Sequence, residues 1–344
     1  MDISRKRLDD AVTSGILQRD QADALWSFLA AGQHETARFG FTHILYYLGG
    51  LIAIGAMSLF MTLGWESFGG WGLFVIAVAY GLAGLWLTEY FLRGKGLRVP
   101  AGITATFVVV LIPLAVYGLQ HGLGFWAEDG KSYGDYHRLI DWRWIVMELA
   151  TLAGGAILLQ RYRLPFMVMP IAVTLWYMSM DLTPFLFGDD ANWRKREYVS
   201  IACGLFTSAL ALLVDLRTRR DPDFAFWLYL FGTMAFWGGL SSLDSNNEWG
   251  KLLYLLINLA MIGIGAALAR KVFVVFGGFG VAGYLGHLAY SVFKDSLMFP
   301  FALTAIGLAI IALGVLWQRN EAALGARLRA VLPLPLRELV ESVG

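Results

Sequence analysis

From residue 43 onward the chain alternates long apolar runs with short polar ones, and the apolar runs share one characteristic length. Ten of them, at about 43–63, 70–92, 99–119, 143–160, 166–187, 198–216, 224–243, 252–269, 272–293 and 297–317, carry few charges. A helix rising about 1.5 Å per residue needs roughly 20 apolar residues to cross ~30 Å of hydrocarbon. The pattern therefore predicts an all-α fold, a polytopic transmembrane helical bundle of about ten spans. Most linkers are short, which makes neighbouring helices antiparallel. Two are longer, His121 to Asp141 and Gly188 to Glu197.

The ends of the chain follow other patterns. Residues 1–40 read as a small cytoplasmic helical hairpin. Leu8, Ala11 and Val12 give its first helix an apolar stripe, and Gly15 suits the C-terminal cap. Asp20 is a natural N-cap for a second helix through Ala31, whose buried side would be Ala22, Leu25, Trp26, Phe28 and Leu29. Forty residues are few for an independent core, so the hairpin is expected to dock on the membrane domain or on a protein partner. Residues 41–318 form the membrane domain and residues 319–344 a cytoplasmic tail. Within that tail Asn320–Leu332 is amphipathic, with Leu324, Leu328, Val331 and Leu332 on one face, as expected of a helix lying on the bilayer until Pro333 and Pro335 end it. The first 40 residues hold no short apolar core followed by a small-residue cleavage site, so the first span is expected to act as an uncleaved insertion signal.

Charge sets the direction. With the N-terminus inside, 19 of the 27 Lys and Arg residues fall in inner segments, and each inner loop holds at least two. The eight outer ones are diluted by acids such as Glu128, Asp129, Asp135, Asp189 and Asp190. Arg194, Lys195 and Arg196 are the exception to the rule. Both termini are thus expected on the cytoplasmic side. Composition agrees: 58% of residues are hydrophobic, 15% are charged and the mean hydropathy is +0.59. A water-soluble protein so apolar could not cover its surface with polar groups. The net charge of +1 gives no reason to expect a nucleic-acid partner; the partner implied is the lipid bilayer. Cys203, alone of its type, excludes an intrachain disulfide framework. Trp65, Trp71, Trp126, Trp142, Trp144, Trp193, Trp249 and Trp317 cluster at span boundaries, as an interfacial belt would.

Small residues recur inside the spans. Gly278, Ala282 and Gly286, spaced by four, would form a flat ridge for helix packing, with Gly49 and Ala53, and Gly118 and Gly122, as shorter versions. They do not define an oligomeric state. The two halves of the membrane domain show no defensible internal repeat.

Familiar catalytic motifs are missing. No phosphate-binding loop, paired-histidine zinc helix or Gly-x-Ser-x-Gly elbow occurs, so no cofactor is called for and an enzyme is not indicated. Ionisable groups inside spans are costly to bury and become the functional candidates. Glu89 and Asp215, at cytoplasmic helix ends beside Arg93 and Arg217, are explained by solvated ion pairs, and Asn258 by hydrogen bonding between helices. The outer half differs. Glu148, Asp181 and His287 each fall about six residues, ~9 Å, below the outer surface, with His121 and Glu66 slightly above and Tyr177 and Tyr284 about one turn deeper. Two carboxylates and an imidazole at one depth could bind a cation or relay protons. Alternatively each finds its own structural partner, for example Arg143 or Arg194. Common depth does not fix common azimuth. Pro113, Pro170 and Pro184 add candidate breaks in the third and fifth spans.

Several stretches carry a resemblance. Gly15-Ile16-Leu17 with Gln21-Ala22, the run His43-Ile44-Leu45-Tyr46-Tyr47-Leu48-Gly49-Gly50, and later Phe276-Gly277-Gly278, Tyr284-Leu285-Gly286-His287-Leu288 and Lys294-Asp295-Ser296 resemble a family of bacterial predicted membrane proteins with an N-terminal helical domain of unknown function. The resemblance implies a bacterial inner membrane and supplies no substrate or catalytic residue. Two functional expectations follow from the whole sequence. One is an ion or small-solute transporter using the outer-half polar site. The other is a membrane scaffold or sensor working through its N-terminal hairpin and outer loops.

Overall fold

The computed structural model describes residues 5–31, 41–63, 68–126, 142–187, 192–218, 222–243 and 247–293, with isolated positions from 300 onward. Among these residues every regular element is helical. Two short helices come first, α1 (Arg5–Thr13) and α2 (Arg19–Ala31), linked through Gly15 at φ 72. They touch each other, and Leu8 and Ala22 are buried, while Leu25 is more than a third exposed.

Nine longer helices follow: α3 (Phe41–Leu63), α4 (Gly69–Glu89), α5 (Arg98–Gly122), α6 (Trp142–Tyr162), α7 (Val168–Phe187), α8 (Trp193–Thr218), α9 (Phe226–Ser242), α10 (Glu248–Ala267) and α11 (Lys271–Phe293). Seven of these segments are long and apolar enough to cross a bilayer: α4, α5, α6, α7, α8, α10 and α11. The chain is a membrane-embedded, multi-pass protein. Its outward-facing side chains agree. Val75, Leu82, Trp86, Leu149, Ile157, Phe206, Leu213 and Leu253 are all more than half exposed, as a lipid-facing surface allows and a water-facing one does not. In α3 the qualifying apolar stretch is only Ile44–Met57, and α9 has 17 residues. The tenth predicted run, 297–317, lies largely outside the described residues, as do the tail helix 320–332, Glu66 and most of the loop from His121 to Asp141.

The helices pack in sequence order. α5 is central to one half, touching α3, α4, α6 and α7; α7 continues to α8 and α9; α9 reaches α11, which pairs with α10. Three pairs, α4/α5, α8/α9 and α10/α11, approach most closely, and glycines make that possible. A Cβ at Gly70 would stand 2.2 Å from the Gly122 nitrogen, and one at Gly204 would stand 2.3 Å from the Phe236 nitrogen. Without side chains at these points the backbones gain dispersion contact that lipid cannot match. The small-residue reading of Gly118 and Gly122 fits this crossing. In α11 the helix contact falls one register away from the predicted ridge. Gly277 and Gly280 meet Ile262 and Asn258 of α10, whereas Gly278 and Gly286 have no described atom within 4 Å and Ala282 is exposed.

The Lys/Arg-rich short turns define what we call the basic end of the bundle; the opposite end is the far end. Three of the turns at the basic end are tight and hold a left-handed residue: Gly96 (φ 69), Arg163 (φ 51) and Ala269 (φ 51). A single π turn, Tyr90–Gly94, closes α4.

Candidate functional site

At the far end, α6 and α7 pack side by side. Met147 turns into an apolar cluster with Leu73, Ala77, Leu111, Leu114, Tyr117 and Trp126. Glu148, next along the helix, therefore points elsewhere, toward α7. Glu148 stands six residues inside α6 and Asp181 six before the end of α7, which puts both ~9 Å from the far end. They also share an azimuth. The two carboxyl groups interact directly across the helix interface. Each residue is only 8% exposed. Neither oxygen of Glu148 has a well-formed hydrogen bond to any described group.

Four of the surrounding polar groups have partners of their own. Arg143, a possible partner from the sequence, donates to the Phe125 carbonyl at 2.7 Å and lies over the Trp126 ring at 4.6 Å. Gln120, buried at 6%, donates to the Arg143 carbonyl at 3.3 Å and accepts from Trp126 Nε1 at 3.2 Å, so it ties the end of α5 to the start of α6. Sequence reasoning passed over Gln120, although an amide in the last turn of an apolar run is a signal that the turn has a polar partner to meet. Thr151 Oγ1 donates to Met147 O at 2.7 Å and Ser179 Oγ to Trp176 O at 2.6 Å, both within their own helices. Pro184 has no N–H, so the Met180 carbonyl beside Asp181 loses its normal helical donor.

The other predicted residues do not join this pair among the described contacts. His287 is exposed on α11, whose neighbours are α9 and α10. His121 is half-buried with its ring 5.9 Å from that of Tyr117. Tyr177 is exposed and Tyr284 half-buried on separate helices.

The basic end holds another buried carboxylate, and its treatment is opposite. Asp215 is fully buried, so its expected solvated pairing with Arg217 is corrected: its partner is Arg270, 55 residues away. The Arg270 guanidinium makes a two-point contact with Asp215 through Nε (3.0 Å) and Nη2, and donates from Nη1 to Asp223 at 2.6 Å. Tyr229 donates to Asp215 at 3.3 Å, and its ring lies under the guanidinium at 5.1 Å. Burial alone would lower the Arg270 pKa, but bonding to Asp223 and Asp215 outweighs it and holds the group above its ordinary value. Arg270 is thus a permanent cation. Glu89, by contrast, pairs with Arg93 at 2.9 Å as its neighbour in sequence suggests, and also meets Arg161 (3.4 Å) and Tyr162 (3.1 Å). Asn258 is fully buried; its amide donates within its own helix to Tyr254 O at 2.8 Å while its side chain packs on Gly280. Its predicted interhelical role is therefore steric.

Among the described residues no cluster of three or more His, Cys, Asp or Glu side chains could hold a metal ion. Comparison with protein-family models, curated proteins and solved structures finds no match to this chain.

Proposed function

We propose that the protein moves an ion or small solute across a bacterial inner membrane, with Glu148 and Asp181 on the route in the outer half. One observation carries this reading: two buried carboxyl groups meet each other in a membrane interior, with Glu148 lacking a hydrogen-bond partner. The same chain supplies another buried carboxylate, Asp215, with an arginine, a tyrosine hydroxyl and a closed turn. A structural carboxylate is neutralised in that way. Two carboxylates brought together there are costly unless a cation or proton comes and goes. The reading includes ten spans, cytoplasmic termini and membership of the bacterial family that the sequence resembles.

The test is flux. The full chain in phosphatidylcholine vesicles should dissipate an imposed gradient of protons or alkali cations faster than empty vesicles. Glu148→Gln and Asp181→Asn, which keep shape and remove charge, should abolish that excess. Equal flux in the double variant and the wild type sinks the proposal.

A second reading, a scaffold or sensor, is favoured by the N-terminal helices. α1 and α2 meet each other, yet Ile16 in the turn between them is 76% exposed. An exposed isoleucine on a small cytoplasmic hairpin suits a protein partner at residues 1–40. Pull-down with wild-type but not Ile16→Ser protein, together with no flux in vesicles, would favour it.

A further inference from the structure

The transport reading leaves open which ion the far-end pair handles, and the donor set narrows the choice. Hard metal cations ask for many oxygens, typically about six to eight for calcium. Here the described donors are two carboxyl groups and the Met180 carbonyl freed by Pro184, while the hydroxyls of Thr151 and Ser179 bond to backbone carbonyls of their own helices. No third metal-ligating residue joins them among the described residues. A proton needs no such shell. A protonated carboxyl becomes an O–H donor, and its neighbour is an acceptor in contact with it.

We propose that Glu148 and Asp181 hold one exchangeable proton between them, so that the ion handled at this site is a proton taken up from the outer side. The inference rests on the transport reading and deepens it. Hydronium gives its proton to one carboxylate and leaves as water; the new O–H donates to the other carboxylate, and the pair passes from two negative charges to one. Like charges in contact favour that first uptake, and the single remaining charge is shared along the hydrogen bond. Glu148 meets the requirement for such a site: it is 8% exposed, both its oxygens are buried without a hydrogen-bond partner among the described residues, and its helix packs against the one that carries Asp181. The titratable and charged groups on the packed elements at this end are few. They are Tyr117 and His121 on α5, Arg143 on α6, Tyr177 on α7, and Arg194, Lys195, Arg196, Glu197 and Tyr198 on α8. Arg143 is held by Phe125 and Trp126, and Lys195 lies over the Phe187 ring at 4.6 Å. The half of α9 at this end has no ionisable side chain.

Infrared difference spectroscopy on the full chain in phosphatidylcholine vesicles tests this directly, using a step in external pH. A protonated-carboxyl stretch should be present near neutrality, shift in D2O and stay unmoved by added Na⁺, K⁺ or Mg²⁺. It should be altered in Glu148→Gln and in Asp181→Asn, and lost in the double variant. Absence of the band from the wild type, its movement by a metal cation at fixed pH, or its survival in the double variant would each overturn the proposal. The wild-type arms need no variant to fold. Parallel flux measurements separate the two readings. The expected band without proton flux leaves a proton site but removes the transporter, whereas alkali-cation flux without the band keeps the transporter and removes the proton.

Discussion

Arg270 shows what one side chain does at the basic end. It closes the turn after α10 and neutralises Asp215 on α8 and Asp223 before α9, so it joins two helix pairs that are far apart in sequence. Removing a single partner from a buried pair leaves an uncompensated charge, a loss of about 3–5 kcal/mol. Arg270→Met should therefore lower the unfolding midpoint of the detergent-solubilised protein sharply. Adding Asp215→Asn to it should restore much of the loss. If Arg270→Met alone unfolds at the wild-type temperature, Asp215 has another counter-ion. The residue before it is a milder case. Ala269 holds φ 51, where a side chain crowds its own carbonyl, and glycine does not. Ala269→Gly should leave stability level or raise it by about 0.5–1 kcal/mol after the entropy lost in the unfolded chain, and Ala269→Val should lower it. Neither the Arg270 contact nor the Glu148–Asp181 contact was legible as a pair. Sequence gave the depth of each carboxylate, since depth is counted along a helix. It placed Asp215 beside the nearest arginine, because a partner 55 residues away depends on which helices meet.

At the scale of helices, existence and limits were legible and azimuth was not. Each long helix from α3 to α11 falls on a predicted apolar run because hydrocarbon thickness fixes the length. Helices that are apolar nearly all round have no amphipathic stripe to reveal which face meets protein. That is why a four-residue spacing in α11 singled out Gly278, Ala282 and Gly286, while the described contact with α10 uses Gly277 and Gly280. Substitution distinguishes the two faces. A Cβ at Gly118 would stand 2.6 Å from the Phe74 nitrogen, and backbone cannot swing aside as a side chain can. Gly118→Ala and Gly70→Ala should each cost about 1–3 kcal/mol by forcing α4 from α5. Gly278→Ala meets nothing described within 4 Å and should be neutral or gain up to about 1 kcal/mol from helix propensity. The check is retention of the folded, monodisperse species on heating. Equal losses at Gly118 and Gly278 would show that the second face is also covered.

For the molecule as a whole the open question is direction, and charge supports the orientation proposed here through a physical cause. Lys and Arg in short loops resist translocation, so the side that retains them is the cytoplasmic one. The turns at the basic end hold Arg93, Lys95 and Arg98, then Arg161 and Arg163, Arg217 and the two following arginines, and Arg270 with Lys271. Every second turn is charged. A reversed molecule would carry all of these across the membrane while keeping the acidic loop around Glu128, Asp129 and Asp135 inside. The exceptional Arg194-Lys195-Arg196 run at the far end is moderated by neighbouring Asp189 and Asp190. Replacing Cys203 by Ser gives a thiol-free background. In that background Ser132→Cys should react with a membrane-impermeant maleimide added to intact cells, whereas Lys95→Cys, exposed in the turn after α4, should react only once the membrane is opened. Labelling in the opposite sense would invert the molecule and place the Glu148–Asp181 pair in the inner half. The pair would then load its proton from the cytoplasm, and the external pH step would leave its infrared band unchanged. Direction and proton access are thus fixed by two independent measurements, and only one combination, outer Ser132 with a band that follows external pH, agrees with the route inferred for this protein.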